Sequence, residues 1–211
     1  MNQRERMLSG LPYKAWLDGL EEDSKACKQK IYDFNQLPPS RQSKEAPQMI
    51  KNIFGKTGEN VWVEAPFHCD YGWNIEVGEN FYSNYNLTIL DVGKVTCGKN
   101  VQIAPNVSIY TAGHPVHPDS RNSGYEYGIP VTVGDNVWIG GNTVILPGVT
   151  VGSNVVIGAG SVVSKDIPDN TIVAGNPCKV IREITDEDRI YYFKKQKFDD
   201  EAWEEVKNKN K

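Results

Sequence analysis

The sequence V-T-V-G-D-N-V-W-I-G-G-N-T-V-I-L-P-G-V-T-V-G-S-N-V-V-I-G-A-G-S-V-V-S, residues 131–164, repeats with a period of six. An aliphatic residue returns once in each repeat, usually followed by a small residue, at Val133, Ile139, Ile145, Val151, Ile157 and Val163. This period matches neither the turn of an α-helix nor a plain alternation, so one aliphatic side chain points inward from each short flat segment. The stretch predicts a mainly β fold, a parallel β-helix.

Less regular copies of the repeat lie upstream, with inward positions at Val63, Val77, Cys97, Ile103 and Ile109. The pattern stops between Thr111 and Pro130 and resumes at Val133, a whole number of hexads after Ile109. Residues 111–130 are therefore predicted to form a loop that leaves a continuous solenoid. Long ordered loops of this kind commonly carry function.

The composition is that of a soluble globular protein. The 211 residues are 39% hydrophobic and 24% charged, with a net charge of −4, which is ordinary for a chain with a substantial core. No run of Lys and Arg suggests a nucleic-acid partner. Without a signal-peptide pattern or an apolar run of membrane-spanning length, we expect a cytoplasmic protein with no membrane partner. The four cysteines form no C-x-x-C pair, so reduced structural thiols are expected.

Residues 1–57 lie outside the repeat and are predicted to form a helical cap. Ala26, Ile31 and Phe34 share one helical stripe, and a second helix is expected from near Lys44 to Gly55. Such helices would cover the backbone groups that an open end of a solenoid leaves unpaired.

The solenoid is assigned to residues 58–182, and a helical tail is assigned to residues 183–211. Thr185 and Asp188 have the spacing of a capping box, which predicts a helix from Thr185 onward. The last five residues, K-N-K-N-K, are expected to fray.

Three blocks together resemble a known family: the hexads followed by A-G-N-P-C-K-V-I-R (174–182), C-D-Y-G-W-N-I-E-V-G-E-N-F-Y-S-N-Y-N-L-T (69–88), and T-A-G-H-P-V-H-P (111–118). The chain resembles the galactoside and maltose O-acetyltransferases of the hexapeptide-repeat acyltransferase superfamily from Arg4 to Phe193. The resemblance implies a left-handed parallel β-helix, a homotrimer, acetyl-coenzyme A as donor and a sugar hydroxyl as acceptor. Handedness comes from the resemblance, because parallel crossovers are usually right-handed.

Acetyl transfer to an alcohol requires a base, and imidazole is the side chain best suited to that task near neutral pH. The histidines are His68, His114 and His117. His114 stands where the loop leaves the coil, and the family's catalytic base falls on it. From position alone, a loop histidine bonded to a neighbour is the simpler interpretation. His117 is interpreted as a structural residue or a contact at the rim.

A positioned amide can donate a hydrogen bond to the oxyanion of the tetrahedral intermediate. The resemblance implies that the family's asparagine with this role is Asn84. Asparagines also suit coil corners, and Asn86 is assigned that role. The resemblance implies an acceptor-binding group that comprises Asp70, Tyr82, Asn84, Asp91 and Glu126. Glu126 could also orient the base. For Asp91 and Glu126, a solvated surface role stays open.

Small residues on a flat coil leave room for the pantetheine arm of coenzyme A, which suits Gly141, Ala159 and Gly160. Trp138 would add a flat apolar wall. A basic end for the phosphates is expected from Ser164, Lys165, Lys179 and Arg182, because ammonium and guanidinium groups pair with phosphate. Each of these cations alone could simply keep the protein soluble.

Two functions from other classes fit the same coil. One is a zinc hydratase of the γ-carbonic anhydrase kind, in which histidines hold the metal, and the other is a catalytically silent sugar-binding trimer. We expect that the protein requires no metal. We also expect that each active site is shared between two subunits of the trimer. The acceptor stays open, because D-Y-G is typical of the maltose type and H-P-V-H of the galactoside type.

Overall fold

The computed structural model describes residues 1–208 and is built around a parallel β-solenoid of about six turns. Val133 pairs with Val151 and Ile145 pairs with Val163, so hydrogen-bonded neighbours lie three hexads apart. Each coil therefore consists of three short strands, one on each flat side. The predicted parallel β-helix is confirmed.

The helices lie mostly outside the solenoid. The α-helices are α1 (Gln3–Leu8), α2 (Leu20–Asn35), α3 (Pro39–Ile53), α4 (Pro118–Asn122) and α5 (Asp200–Asn208), with one 3₁₀ helix at Asp186–Ile190. Within the part of the chain that the structure describes, no helix is long and apolar enough to cross a membrane.

The strands are two to five residues long. They are β1 (Val61–Val63), β2 (Phe67–Cys69), β3 (Ile75–Val77), β4 (Phe81–Ser83), β5 (Leu87–Leu90), β6 (Val95–Cys97), β7 (Gln102–Ile103), β8 (Ser108–Tyr110), β9 (Ala112–Gly113), β10 (Tyr127–Gly128), β11 (Val131–Val133), β12 (Trp138–Ile139), β13 (Val144–Ile145), β14 (Thr150–Val151), β15 (Val156–Ile157), β16 (Val162–Val163), β17 (Thr171–Ala174), β18 (Lys179–Glu183), β19 (Tyr191–Phe193) and β20 (Gln196–Lys197).

Three sheets form the sides of the solenoid. The seven-stranded sheet has the order β1-β4-β7-β12-β15-β17-β18, the five-stranded sheet β16-β13-β8-β5-β2 and the four-stranded sheet β14-β11-β6-β3. The inward aliphatic positions of the hexads are all buried, and Cys97 is buried among them. The core is thus a column of stacked side chains, and burial of each aliphatic one contributes about 1.5–3 kcal/mol.

One corner of the solenoid is held by a ladder of asparagine side chains. Each amide donates to the side-chain oxygen of the asparagine on the next coil, at 2.8–3.3 Å, through Asn60, Asn80, Asn100, Asn136, Asn154 and Asn170. All but the first have positive φ, between 56° and 59°. Asparagine tolerates this left-handed backbone, and its side-chain amide also donates a hydrogen bond to the asparagine of the next coil.

The N-terminal helices cover the first coil, with α3 packed on β1 and α2 packed on β2. The predicted start of α3 near Lys44 is wrong, because the helix begins at Pro39, where the fixed φ of proline suits the first turn. The predicted stripe of α2 also needs correction. Ala26 is exposed and the neighbouring Cys27 is buried in its place.

The C-terminal tail is less helical than predicted. The capping box of Thr185 and Asp188 is present, but it begins only the short 3₁₀ helix. A β19–β20 hairpin follows, with Lys194 at φ 51° in its turn, and α5 begins at Asp200. Of the five terminal residues expected to fray, the first two lie in α5 and residues 209–211 lie outside the described residues.

Candidate functional site

The 111–130 loop is an antiparallel hairpin at its base. Gly113 of β9 pairs with Tyr127 of β10, so His114 and Glu126 are the next residues outward on the two strands. A Cβ at position 113 would lie 2.4 Å from the ring of Tyr127, which explains the glycine. The short helix α4 lies at the outer end of the loop. His117 precedes this helix, where its Nδ1 accepts a hydrogen bond from Asp119 N at 3.2 Å.

His114 and Glu126 face each other across this hairpin. The imidazole Nε2 lies 4.0 Å from Glu126 Oε2, with the histidine side chain 59% exposed and the glutamate side chain 21% exposed. An exposed imidazole beside a mostly buried carboxylate can reach a bound molecule and exchange a proton with it. The burial of Glu126 argues against the alternative of a solvated surface residue.

Tyr13 adds a third strand-like segment to the hairpin. Its backbone exchanges two hydrogen bonds with Glu126, of 2.9 and 3.0 Å, and its hydroxyl donates to Glu126 Oε1 at 2.5 Å. Burial, reinforced by the hydrogen bond to Glu126, raises the pKa of Tyr13 far above its ordinary value. Sequence reasoning missed this residue because its partner is 113 positions away and its own segment has no helical or strand period.

Asp70 and Asp91 lie at the carboxyl ends of adjacent strands. Cys69 pairs with Ile89, and Ile89 pairs with Ile109, so Asp70, Asp91 and the start of the loop meet at one edge of the five-stranded sheet. Burial, followed by the charge of Asp91, raises the pKa of Asp70 to about 6, and Lys28 opposes this effect.

Asp91 is completely buried, and its Oδ1 accepts the backbone amides of Asp70 and Tyr71 at 2.9 and 3.0 Å. The solvated alternative for Asp91 is therefore wrong. Its Oδ2 is buried without a hydrogen-bond partner among residues 1–208. Burial raises the pKa of this carboxyl, with the backbone hydrogen bonds acting in the opposite direction. Asp91 holds the backbone that carries Asp70 rather than reaching the surface.

Asn84 lies at the opposite edge of the same five-stranded sheet, just before β5. Its Oδ1 accepts the amide of Tyr85 at 2.7 Å, and its Nδ2 donates to no group within the described residues. Asn86 has φ 63° and donates to Asn106 Oδ1 at 2.9 Å, so the corner role of Asn86 is confirmed. Tyr82 projects outward from β4, in register with Gln102, which is in register with Trp138.

The small residues predicted for coenzyme A lie together at one corner. Gly140 N donates to Ile157 O at 2.7 Å and Gly160 N donates to Gly141 O at 2.8 Å. Ala159 and Gly160 are exposed, and a Cβ on Gly160 would meet nothing within 4 Å. Trp138 lies on the neighbouring coil, in register with Val156. The corner is therefore open to a long flexible ligand.

The predicted basic end is exposed, but its members differ. Ser164 and Lys165 follow β16, and Lys179 lies on the edge strand β18. Arg182, also on β18, makes a two-pronged contact with Asp188, at 2.7 and 2.6 Å. This contact raises the pKa of Arg182 and holds that of Asp188 far below its ordinary value. Lys165 and Lys179 have no such carboxylate partner among residues 1–208, so they are freer than Arg182 to meet a phosphate.

His68 projects from β2 into an open cleft between α2 and the five-stranded sheet. Amide and aromatic side chains line the cleft together with Asp70, namely Tyr32, Asn35, Gln36 and Gln42. Over residues 1–208 no group of three or more His, Cys, Asp or Glu side chains has an arrangement that could hold a metal ion.

Two family models match the chain. The maltose acetyltransferase hexapeptide capping motif matches residues 6–58, and the six repeats of the bacterial transferase hexapeptide model match residues 130–165. The chain is 50% identical to the galactoside O-acetyltransferase of Escherichia coli over 93% of its length and 97% of that relative.

Solved structures give the same result. A galactoside acetyltransferase in complex with coenzyme A has a TM-score of 0.91 and 50% identity, covering 94% of this chain and 99% of its own. A maltose O-acetyltransferase from Clostridium difficile has a TM-score of 0.86 and 50% identity, covering 88% and 99%. A hexapeptide-repeat acetyltransferase from Vibrio cholerae in complex with acetyl-coenzyme A is 33% identical, with a TM-score of 0.81, and covers 88% and 100%.

Proposed function

The chain belongs to the galactoside and maltose O-acetyltransferase family of hexapeptide-repeat acyltransferases, and we propose that it transfers an acetyl group from acetyl-coenzyme A to a sugar hydroxyl. The observation that carries this proposal is the exposed imidazole of His114 opposite the carboxylate of Glu126. The relatives solved with coenzyme A and acetyl-coenzyme A support the donor.

The reaction proceeds by direct transfer. His114 removes the proton from the acceptor hydroxyl as its oxygen attacks the thioester carbonyl carbon. The carbonyl oxygen becomes an oxyanion, to which the free Nδ2 of Asn84 donates. The intermediate collapses to the acetyl ester, the carbon–sulfur bond breaks, and the proton on His114 passes to the coenzyme A sulfur. Glu126 stabilises the imidazolium between the two transfers.

Acetyl-coenzyme A lies along the small-residue corner of Gly141, Ala159 and Gly160, against Trp138. The phosphates meet Ser164, Lys165 and Lys179, while Arg182 must exchange Asp188 for phosphate before it contributes. The openness of this corner supports the assignment.

The active protein is a cytoplasmic homotrimer with its sites between subunits. The support is the distance between Asn84 and His114 within one chain. Asn84 lies before the amino-terminal end of β5, whereas His114 lies past the carboxyl-terminal ends of the strands of the same five-stranded sheet. A four-residue strand spans about 13 Å, too far for one acetyl group to contact both side chains. A neighbouring subunit supplies the missing group.

The acceptor site contains Asp70, Tyr82, Asn84 and Glu126, with Asp91 behind Asp70. The family covers galactoside and maltose acceptors, and the amide-lined cleft beside Asp70 suits a hydroxyl-rich molecule. The test is an initial-rate assay with acetyl-coenzyme A over maltose, glucose and galactosides, with release of the free thiol as readout. Saturable acetylation of at least one sugar is expected. Stoichiometric zinc in the purified protein together with no acetyl transfer to any acceptor would overturn the proposal.

A further inference from the structure

We propose that Tyr13 is a positioning residue of the acetyl-transfer site, whose hydroxyl fixes the carboxylate of Glu126 so that its second oxygen faces His114. The inference extends the proposed function, because it rests on His114 as the base. Tyr13 lies in the connection between α1 and α2, whereas Glu126 and His114 lie on the loop hairpin. The contact therefore joins the N-terminal cap to the catalytic loop.

The order of groups across three neighbouring segments supports this role. Tyr13 is bonded to Glu126 by its backbone at both N–H and C=O, and Glu126 stands next to the β9–β10 pair that leads to His114. The phenol is aimed at one carboxylate oxygen at 2.5 Å, and the other oxygen faces the imidazole at 4.0 Å. Fixing one oxygen of a planar carboxylate fixes the direction of the other.

Tyr13 is itself rigid and cannot touch the acceptor. Its side chain is fully buried in a small apolar cluster with Met7, Leu20, Tyr71 and Val92. The raised pKa of the phenol keeps its proton in place as a donor. Within residues 1–208, the Tyr13 hydroxyl is the one hydrogen-bond donor to the Glu126 carboxylate. Loss of this hydroxyl leaves Glu126 free to turn away from His114.

The decisive experiment compares Tyr13→Phe, Glu126→Gln and the double variant in full-length protein, with kcat and both KM values measured. Tyr13→Phe should lower kcat by about tenfold and leave KM for acetyl-coenzyme A unchanged, as other groups that orient a reacting side chain do. If Tyr13 acts through Glu126, the double variant is no slower than Glu126→Gln alone. An unchanged kcat in Tyr13→Phe, or losses that multiply in the double variant, would overturn the proposal.

Tyr71→Phe is the matched control, because it removes a phenol from the same cluster that has no hydrogen-bond partner within residues 1–208. Tyr71→Phe should leave kcat unchanged. An equal loss of kcat in Tyr71→Phe and Tyr13→Phe would show that looser packing of the cluster causes the effect, and would overturn the proposal. If Tyr13→Phe does not fold, Glu126→Gln decides alone, since an unchanged kcat there rules out any role that passes through Glu126. An undiminished kcat in His114→Ala would instead refute the proposed role of His114 as the base, which separates that failure from a failure of the Tyr13 proposal.

Discussion

The ionised side chain of Asp70 lowers the free energy of unfolding, and a neutral side chain at this position should remove that cost. Burial and the charge of Asp91 raise its pKa from the ordinary 3.8 to about 6. A carboxyl with a raised folded-state pKa binds more protons in the folded state between those two values, so stability falls as pH rises through that window. Above pH 6 the full cost is present, and below pH 3.8 it is absent.

The change from Asp70 to Asn keeps the shape and removes this cost. The difference between the two pKa values corresponds to at most about 3 kcal/mol at pH 7.5. Asp70→Asn should therefore raise the free energy of unfolding by roughly 2–3 kcal/mol at pH 7.5 and by much less at pH 4.5, while lowering activity because the acceptor loses a charged partner.

Urea unfolding of both proteins at the two pH values and one protein concentration measures the effect. Asp119→Asn is the control, since the side chain of Asp119 is 91% exposed and its removal should change little at either pH. If Asp70→Asn raised the free energy of unfolding equally at pH 4.5 and pH 7.5, or lowered it at pH 7.5, the electrostatic reasoning would be refuted.

Four further substitutions test the solenoid and the donor face. Gly140→Ala should destabilise the protein by about 2–3 kcal/mol, because its Cβ would lie 2.5 Å from the backbone of Ala159. Gly160→Ala should lower stability by only ~1–2 kcal/mol, because the backbone there has a positive φ. Thermal unfolding compares the two variants, and equal losses of stability would contradict the close packing at Gly140. Asn136→Ala breaks two rungs of the ladder and should lower stability by about 2–3 kcal/mol, and an unchanged Tm would show that the ladder contributes nothing. Trp138→Ala should raise KM for acetyl-coenzyme A and leave KM for the sugar unchanged, and the reverse pattern in initial rates would place Trp138 on the acceptor side.

The sequence period predicted what depends on local repetition. The phase that runs through Val133, Ile139 and Ile145 identified the buried column, and the interruption after Ile109 identified the loop. Asn86 at a corner followed from the left-handed backbone that asparagine tolerates. These features could be read because each repeats a pattern that a flat coil imposes at every turn.

The features that were missed depend on contacts between distant segments. Tyr13 meets Glu126 through a pairing that no local period encodes. The burial of Asp91 depends on two amides one coil away. Arg182 looks like a free cation in the sequence, and only the fold brings Asp188 to it. The tail after Thr185 has a correct helix start, but the capping box supports one short turn where no core exists for a longer helix to pack on.

His114 is the base for acetyl transfer in the proposed mechanism, and a comparison of initial rates tests this role. Initial rates of His114→Ala and the unaltered protein are measured with acetyl-coenzyme A and the best sugar of the acceptor panel. The proposed mechanism predicts a loss of kcat of about 10²–10⁴-fold with KM for acetyl-coenzyme A nearly unchanged and the same thermal unfolding. A folded His114→Ala protein with undiminished kcat would contradict it.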